Sequence, residues 1–361
     1  MAKIKTDDVG AMLKNARQAA GDFGKFYTPE CLSKLIARLA SDGLTVDRVL
    51  DPACGCGSLL VYGHEVIGDA FYVGQEISAD SCALARKNLH ENGVDRHEVI
   101  NCDTLELMIT WEEKFDVVLA NPPFSVKWNP DAVPFDPRFN GVYAPKGKAD
   151  LAFVQHGLYW LRDGGRAAYI LPPGALSRSG AEQKIREQFM PYVHAVVTLP
   201  VKLFEETAIG TVCLLFEKSP SEDPVLFLDA SEMCESVQKK LNVITDGYID
   251  EIVAIVKERK VIEERSALVE RSAINDFDLS PYRYIEKTIK KEKGVYDDWT
   301  PRQVLDDGDA WAEYTYRLNK QMSAKVRKTL GYEYNQEDLD FDVEAIKPDT
   351  YDYHKAQGHI R

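Results

Sequence analysis

Short apolar runs, each leading to a carboxylate or an amide, most constrain the folds open to this chain. Residues 46–50 lead to Asp51, 71–74 to Glu76, 98–101 to Asp103, and 115–120 to Asn121. Runs of this length and composition read as buried strands. Between and after them, the stretches from Leu59, at 80–92 and at 151–161 read as helices, and further strand candidates follow at 167–171, 193–199 and 212–216. Strands alternating with helices make an α/β fold with a mostly parallel sheet covered on both faces. Ligands of such sheets bind beyond the carboxyl ends of the strands. Asp51, Glu76, Asp103 and Asn121 all fall at those ends.

The fourth run closes on Asn121-Pro122-Pro123-Phe124. Two adjacent prolines at a strand end make a rigid, non-helical turn, and each restricts the residue before it. Such a turn can hold the Asn121 amide oxygen and a neighbouring carbonyl in place to grip a planar amino group. Phe124 offers a face to a flat ring. The chemistry indicated is methylation of an exocyclic amine. The plainer alternative is a strand-ending turn with an aromatic plug.

The first run opens a glycine-bearing turn, Asp51-Pro52-Ala53-Cys54-Gly55-Cys56-Gly57-Ser58. Gly55 and Gly57 remove side chains where a backbone must pass close to a ligand. Glu76 lies 19 residues past Gly57, the spacing of a ribose-binding carboxylate. The turn lacks the Lys-Ser/Thr pair and third glycine of a phosphate cradle, and Asp51 would repel a pyrophosphate. A ligand with a ribose, an adenine and a cationic amine suits it better, and S-adenosylmethionine is such a ligand. Asp51 would meet its amine end, Glu76 its ribose hydroxyls and Asp103 its adenine amino group. The alternative has Asp103 as a helix cap and Glu76 as a plain exposed residue. Tyr27-Thr28-Pro29 reads either as a helix start capped by Thr28 or as a lid over the methionine end. The helix that follows has an apolar face of Leu32, Leu35, Ile36 and Leu39.

No run reaches the roughly 18 apolar residues of a membrane span, and the start Met1-Ala2-Lys3-Ile4-Lys5 lacks a secretory signal. Seven scattered cysteines fit free thiols in the cytoplasm better than disulfides. Cys54 and Cys56 have no second pair at zinc spacing, so no metal is expected. Direct methyl transfer also gives them no nucleophilic role. His156, in an apolar helix, reads as a core histidine. The formal charge of −14 is unlike that of a protein that grips nucleic acid alone.

The segment 125–148 carries Lys127, Trp128, Arg138, Phe139, Tyr143, Lys146 and Lys148 without periodicity. It reads either as a loop contacting DNA or as a lid packed on its own aromatics. Domain expectations are a short helical segment at 1–22, a catalytic domain at 23–230, and a helical or irregular extension at 231–361 that docks a partner. In the extension, Ile249, Ile252, Val253 and Val256 mark an amphipathic helix that packs on the sheet domain or on another subunit.

Together these segments resemble the modification (M) subunit of type I restriction-modification systems, of the N6-adenine DNA methylase family. The resemblance rests on Phe26-Tyr27-Thr28-Pro29, the turn from Asp51 to Leu59, Gly74-Gln75-Glu76, Asn101-Cys102-Asp103, Asn121 to Phe124, and Lys148-Ala149-Asp150-Leu151-Ala152-Phe153 with Gln155-His156. It continues through 199–211, with Phe204, Thr207 and Ile209, and Asn275-Asp276-Phe277-Asp278-Leu279 with Arg283-Tyr284-Ile285, covering roughly 22–290. It implies a Rossmann-like, class I S-adenosylmethionine-dependent methyltransferase fold with a seven-stranded sheet. Asn121, Pro122, Pro123 and Phe124 would be catalytic. Tyr27, Thr28, Pro29, Asp51, Ala53, Gly55, Gly57, Glu76, Ile77, Asp103 and Asn121 would bind S-adenosyl-L-methionine. The substrate implied is a flipped adenine in double-stranded DNA. The partners implied are a specificity (S) subunit that reads sequence, a second M copy and a restriction (R) subunit. Family members usually carry a long helical domain before the Tyr-Thr-Pro motif, where about two dozen residues stand here, so a partner is expected to help hold DNA. Cytosine N4, an RNA guanine, a protein glutamine or a non-catalytic assembly role remain as alternatives.

Overall fold

A computed structural model describes residues 27–204, 210–238 and 241–286. The helical pattern at 8–20, Phe26, Thr207, Ile209 and the stretch from 290 onward lie outside these residues. Helix α1 (Glu30–Ser41) buries Leu32, Leu35, Ile36 and Leu39, the stripe its sequence offers. Strand β1 (Arg48–Asp51) leads through the glycine turn into α2 (Ser58–Ile67), β2 (Phe71–Glu76), α3 (Ala79–Glu91) and β3 (His97–Asn101). Strand β4 (Phe115–Ala120) is buried along its whole length. Then come α4 (Asp150–Trp160), β5 (Leu161–Leu171), α5 (Ala181–Phe189), β6 (Val193–Thr198), β7 (Val212–Glu217) and β8 (Val225–Asp229). A small hairpin, β9 (Glu235–Gln238) and β10 (Leu241–Val243), precedes α6 (Asp246–Glu258) and β11 (Ser266–Val269).

The main sheet has nine strands in the order β11-β8-β6-β7-β5-β4-β1-β2-β3, not the seven expected. The two additions, β8 and β11, are short, and β11 is only half-buried, so neither carries a strong period. Neighbours from β3 to β5 run parallel, as do β6 and β8. Strand β7 is antiparallel between β5 and β6, and β11 is antiparallel on β8. The chain moves outward from β1 to β2 and β3, then returns to β4 on the other side of β1. That reversal opens a crevice beyond the carboxyl ends of β1 and β4, where Asp51 and Asn121 stand.

Alternate strand residues feed two core layers. Val117 and Leu119 pack with α1, α2, α3 and α6, whereas Val118 and Ala120 pack with α4 and α5. Helix α6 buries Ile249, Ile252, Val253 and Val256 in the same layer as α1, each contributing about 1.5–3 kcal/mol. Arg38–Asp250 and Lys257–Asp42 (2.9 Å) ion pairs fasten it there. The sheet and its cover therefore continue past residue 230 through α6 and β11, inside the segment read as an extension.

Candidate active site

The crevice contains a cavity of about 630 Å³, and most of the strand-end residues meet in it. Tyr27, Thr28, Asp51, Ala53, Gly55, Glu76, Ile77, Asp103, Asn121 and Pro123 all line it. Pro29, Gly57, Pro122 and Phe124 do not. Parallel strands explain the convergence, since their carboxyl ends share one edge of the sheet.

Asp51 is 1% exposed, and its carboxylate accepts the Ala53 N–H at 3.0 Å. Burial, helped by the nearby Glu76 charge, pushes it up to about 7. Glu76 braces the glycine turn. Its Oε2 accepts the Gly55 N–H at 3.0 Å and its Oε1 the Ser78 N–H at 2.8 Å. Gly55 has φ +54, and a Cβ there would project into open space. Gly57 serves packing instead. It takes φ +81 at the start of α2, and a Cβ would press on Ala85 of α3 at 3.2 Å.

Asp103 stands before a turn, not before the helix of the sequence reading. Its Oδ1 caps the following turn through the N–H groups of Leu105 (3.0 Å) and Glu106 (3.2 Å), and the side chain also lines the cavity. Ile77 presents an apolar side chain, 68% exposed, to the same space. Thr28 does not cap α1; Pro29 holds the cap position and makes no side-chain cap bond. The Thr28 hydroxyl instead accepts Nδ2–H of Asn121 at 3.0 Å. That bond turns the Asn121 amide so that Oδ1 is buried with no partner among the described residues. A buried acceptor left open costs about 1–3 kcal/mol unless a ligand satisfies it. Phe124 is half-buried against the first core layer, one residue past the cavity-lining Pro123.

Segment 125–148 is mainly a lid packed on itself. Trp128, Arg138 and Phe139 are buried, with the Trp128 and Phe139 rings 5.1 Å apart, while Lys127 and Lys146 stay exposed. Arg138 donates to the carbonyls of Thr104 (2.6 Å), Leu105 (3.0 Å) and Leu107 (3.3 Å), so it clamps the Asp103 turn. Asp136 balances its charge at 2.6 Å. The guanidinium also donates to His156 Nδ1 at 2.9 Å, and His156 Nε2–H donates to Gln75 Oε1 at 2.8 Å. Burial and the Arg138 charge hold His156 well below its ordinary pKa, so it is a neutral core residue. Burial raises the thiol pKa of Cys54 and Cys56, which argues against either as a nucleophile.

The sequence reading missed Ser58, Ser81, Leu105 and Phe153 in the cavity wall. Phe153 lies in a noted segment, but nothing in its spacing aims it at the cavity. Trp128 lines the cavity too, together with Lys127. Among the described residues there is no cluster that could hold a metal, and no helix long and apolar enough to cross a membrane.

Residues 10–293 match the family model for N-6 DNA methylase. The type I restriction enzyme MpnII methylase subunit of Mycoplasma pneumoniae is 37% identical over 306 residues, covering 77% of this chain and 56% of the relative. The MjaVII methylase subunit of Methanocaldococcus jannaschii is 34% identical over 294 residues, covering 74% and 50%. The chain thus spans about half the length of the curated relatives it matches. The crystal structure of a type I restriction-modification methyltransferase subunit from Streptococcus thermophilus aligns with a TM-score of 0.69 at 34% identity, covering 73% of this chain and 60% of that one. The sheet and helices form the class I S-adenosylmethionine-dependent methyltransferase fold, shared at a TM-score of 0.55 and 18% identity with a protein from Listeria monocytogenes. By this match and this fold, the chain belongs to the N-6 DNA methylase family.

Proposed function

We propose that this chain transfers a methyl group from S-adenosyl-L-methionine to the N6 amine of an adenine flipped out of double-stranded DNA. It acts as the cytoplasmic modification subunit of a type I restriction-modification complex. The observation that carries the reading is the open Asn121 amide oxygen, in one cavity with three strand-end carboxylates. The residues fit the cofactor: about 630 Å³ lies within the range of small-molecule sites, and a Cβ at Gly55 would occupy open space there. Asp51 meets the cationic amine, Glu76 the ribose hydroxyls, and Asp103 with Ile77 the adenine edge and face. Bound S-adenosyl-L-methionine supplies an electrophilic methyl group.

The protein's own part is to position the amine. A base inside a duplex cannot reach the crevice, so it must be extruded at a cost of a few kcal/mol. Phe124 stacking offsets about 1–3 kcal/mol of that cost. Asn121 Oδ1 and the Pro122 carbonyl then accept the two amine hydrogens and aim the nitrogen lone pair at the methyl group. Thr28 fixes the Asn121 amide in this orientation, and Pro122 and Pro123 hold the carbonyl still. Rate enhancement comes mainly from this alignment.

The relatives are named as methylase subunits, and the net charge is −14. Both favour a division of labour. A specificity subunit reads the sequence and carries most phosphate contacts, a second copy of this chain completes the methylase, and a restriction subunit joins it. Labelled methyl transfer to mixed DNA, RNA and protein, with and without the co-purified partner, tests the reading. Label on DNA that depends on the partner supports it; label on RNA or protein alone refutes it.

A further inference from the structure

The turn that carries Asn121 is held from behind by one carboxylate. Ser125, the residue after Phe124, has φ 52°, a left-handed conformation that costs a non-glycine residue about 1–2 kcal/mol. Its N–H donates to Asp150 Oδ1 at 2.7 Å. Asp150 opens α4 and is 1% exposed, yet it does not line the cavity. Its other oxygen accepts Arg178 Nη2–H at 2.8 Å. Arg178 is itself held by Glu182, through Nε–H and Nη2–H at 2.6 Å each. The Arg178 carbonyl accepts Arg186 Nη2–H at 2.8 Å, and the buried Arg186 also donates to the carbonyls of Ala175 (3.1 Å) and Phe277 (2.7 Å).

An acidic residue in the first turn of a helix needs no counter-ion, since the helix dipole already favours it. Here the carboxylate is buried, divided between a strained turn N–H and the half-buried Arg178 guanidinium, and backed by the buried Arg186. Burying such a pair is costly, and its geometric effect is to allow the end of the catalytic turn one orientation. The Val126 carbonyl, which accepts the Ala149 N–H at 3.1 Å, ties the same turn to the start of α4 a second time.

We propose that Asp150 is a positioning residue for methyl transfer, holding Ser125 so that the Asn121 oxygen and Pro122 carbonyl keep their aim, with Arg178 locking its carboxylate. This rests on the proposed methyltransferase reading. Asp150 touches neither substrate nor cofactor; it acts through the turn.

The test uses the native complex with Asp150→Ala, Asp150→Asn and Arg178→Ala. The kcat is normalised to the number of cofactor-binding sites, so that misfolded protein does not count. Asp150→Ala is expected to lower kcat per site by about 10- to 100-fold, the scale of one lost charge-assisted hydrogen bond. Cofactor Kd stays within about twofold, because the strand-end carboxylates are untouched. Asp150→Asn keeps an acceptor for Ser125 and recovers part of the loss. Arg178→Ala, at a side chain only 24% exposed but away from the turn, lowers kcat by about 3- to 10-fold. If Asp150→Ala does not fold, Asp150→Asn and Arg178→Ala decide. A kcat per site within about threefold of wild type in the folded variants, or an equal loss of cofactor affinity, overturns the inference. A wild-type complex that methylates no DNA fails the functional reading itself, and the inference with it.

Discussion

Asp51→Asn should make the cofactor-free protein more stable while it cripples binding. Burial lifts the Asp51 carboxyl from 3.8 to about 7. The folded state therefore binds a proton more readily than the unfolded state. The resulting penalty is absent below pH ~4, grows as pH rises, and is complete above pH ~7. About three units correspond to roughly 4 kcal/mol. Asparagine removes the charge and keeps an acceptor for the Ala53 N–H. An amide N–H₂ buried there without an acceptor would cost about 1–3 kcal/mol. The net gain at pH 8 is thus about 1–3 kcal/mol, and it shrinks toward pH 5. Urea unfolding of both proteins at the two pH values measures it. Cofactor titration supplies the other half. Wild-type affinity should fall about tenfold from pH 8 to pH 6 as Asp51 takes up its proton, and the variant should bind weakly at both. A variant no more stable than wild type at pH 8, or a wild-type affinity that ignores pH, would refute the reasoning.

Arg138→Met removes the clamp on the Asp103 turn and strands the Asp136 charge. It should cost about 3–5 kcal/mol in urea unfolding and loosen cofactor binding; a cost under about 1 kcal/mol would contradict the clamp. Gly157→Ala sets a Cβ 1.8 Å from Tyr169 Oη and 3.0 Å from Val118. Overpacking there should cost about 1–3 kcal/mol, read as a lower Tm, and an unchanged Tm would show that α4 can shift freely. The chain alone, at a net charge of −14, should bind duplex DNA weakly and lose that binding as salt rises. Tight, salt-resistant binding without a partner would contradict the division of labour.

The strand-end residues were legible because parallel order carries long-range information. Once 46–50 and 115–120 are strands of one parallel sheet, Asp51 and Asn121 must share an edge. The pairing of Asn121 with Thr28 was not legible. A Thr-Pro pair before an apolar stripe has the local pattern of a helix cap, and only the tertiary fold offers the hydroxyl a better partner. The burial of Arg138 was not legible for a related reason. A cation in an aperiodic segment looks solvated, and the three carbonyls that bury it lie over 30 residues upstream. The local hint was Asp136, two residues before it. The helix stripe at 249–256 was visible in sequence, but its partner surface on α1 was not, because periodicity reports a face and not what covers it. Strand β11 escaped because four residues of mixed burial at a sheet edge give no clear alternation in sequence.

The most direct test of the central claim identifies the methylated atom. Duplex DNA is treated with the native complex and isotope-labelled S-adenosyl-L-methionine, then digested to nucleosides and resolved by mass. The account predicts label in N6-methyladenine with the wild-type chain. It predicts none with Asn121→Ala, although that variant still binds cofactor. Label in N4-methylcytosine, or undiminished adenine methylation by Asn121→Ala, would contradict it.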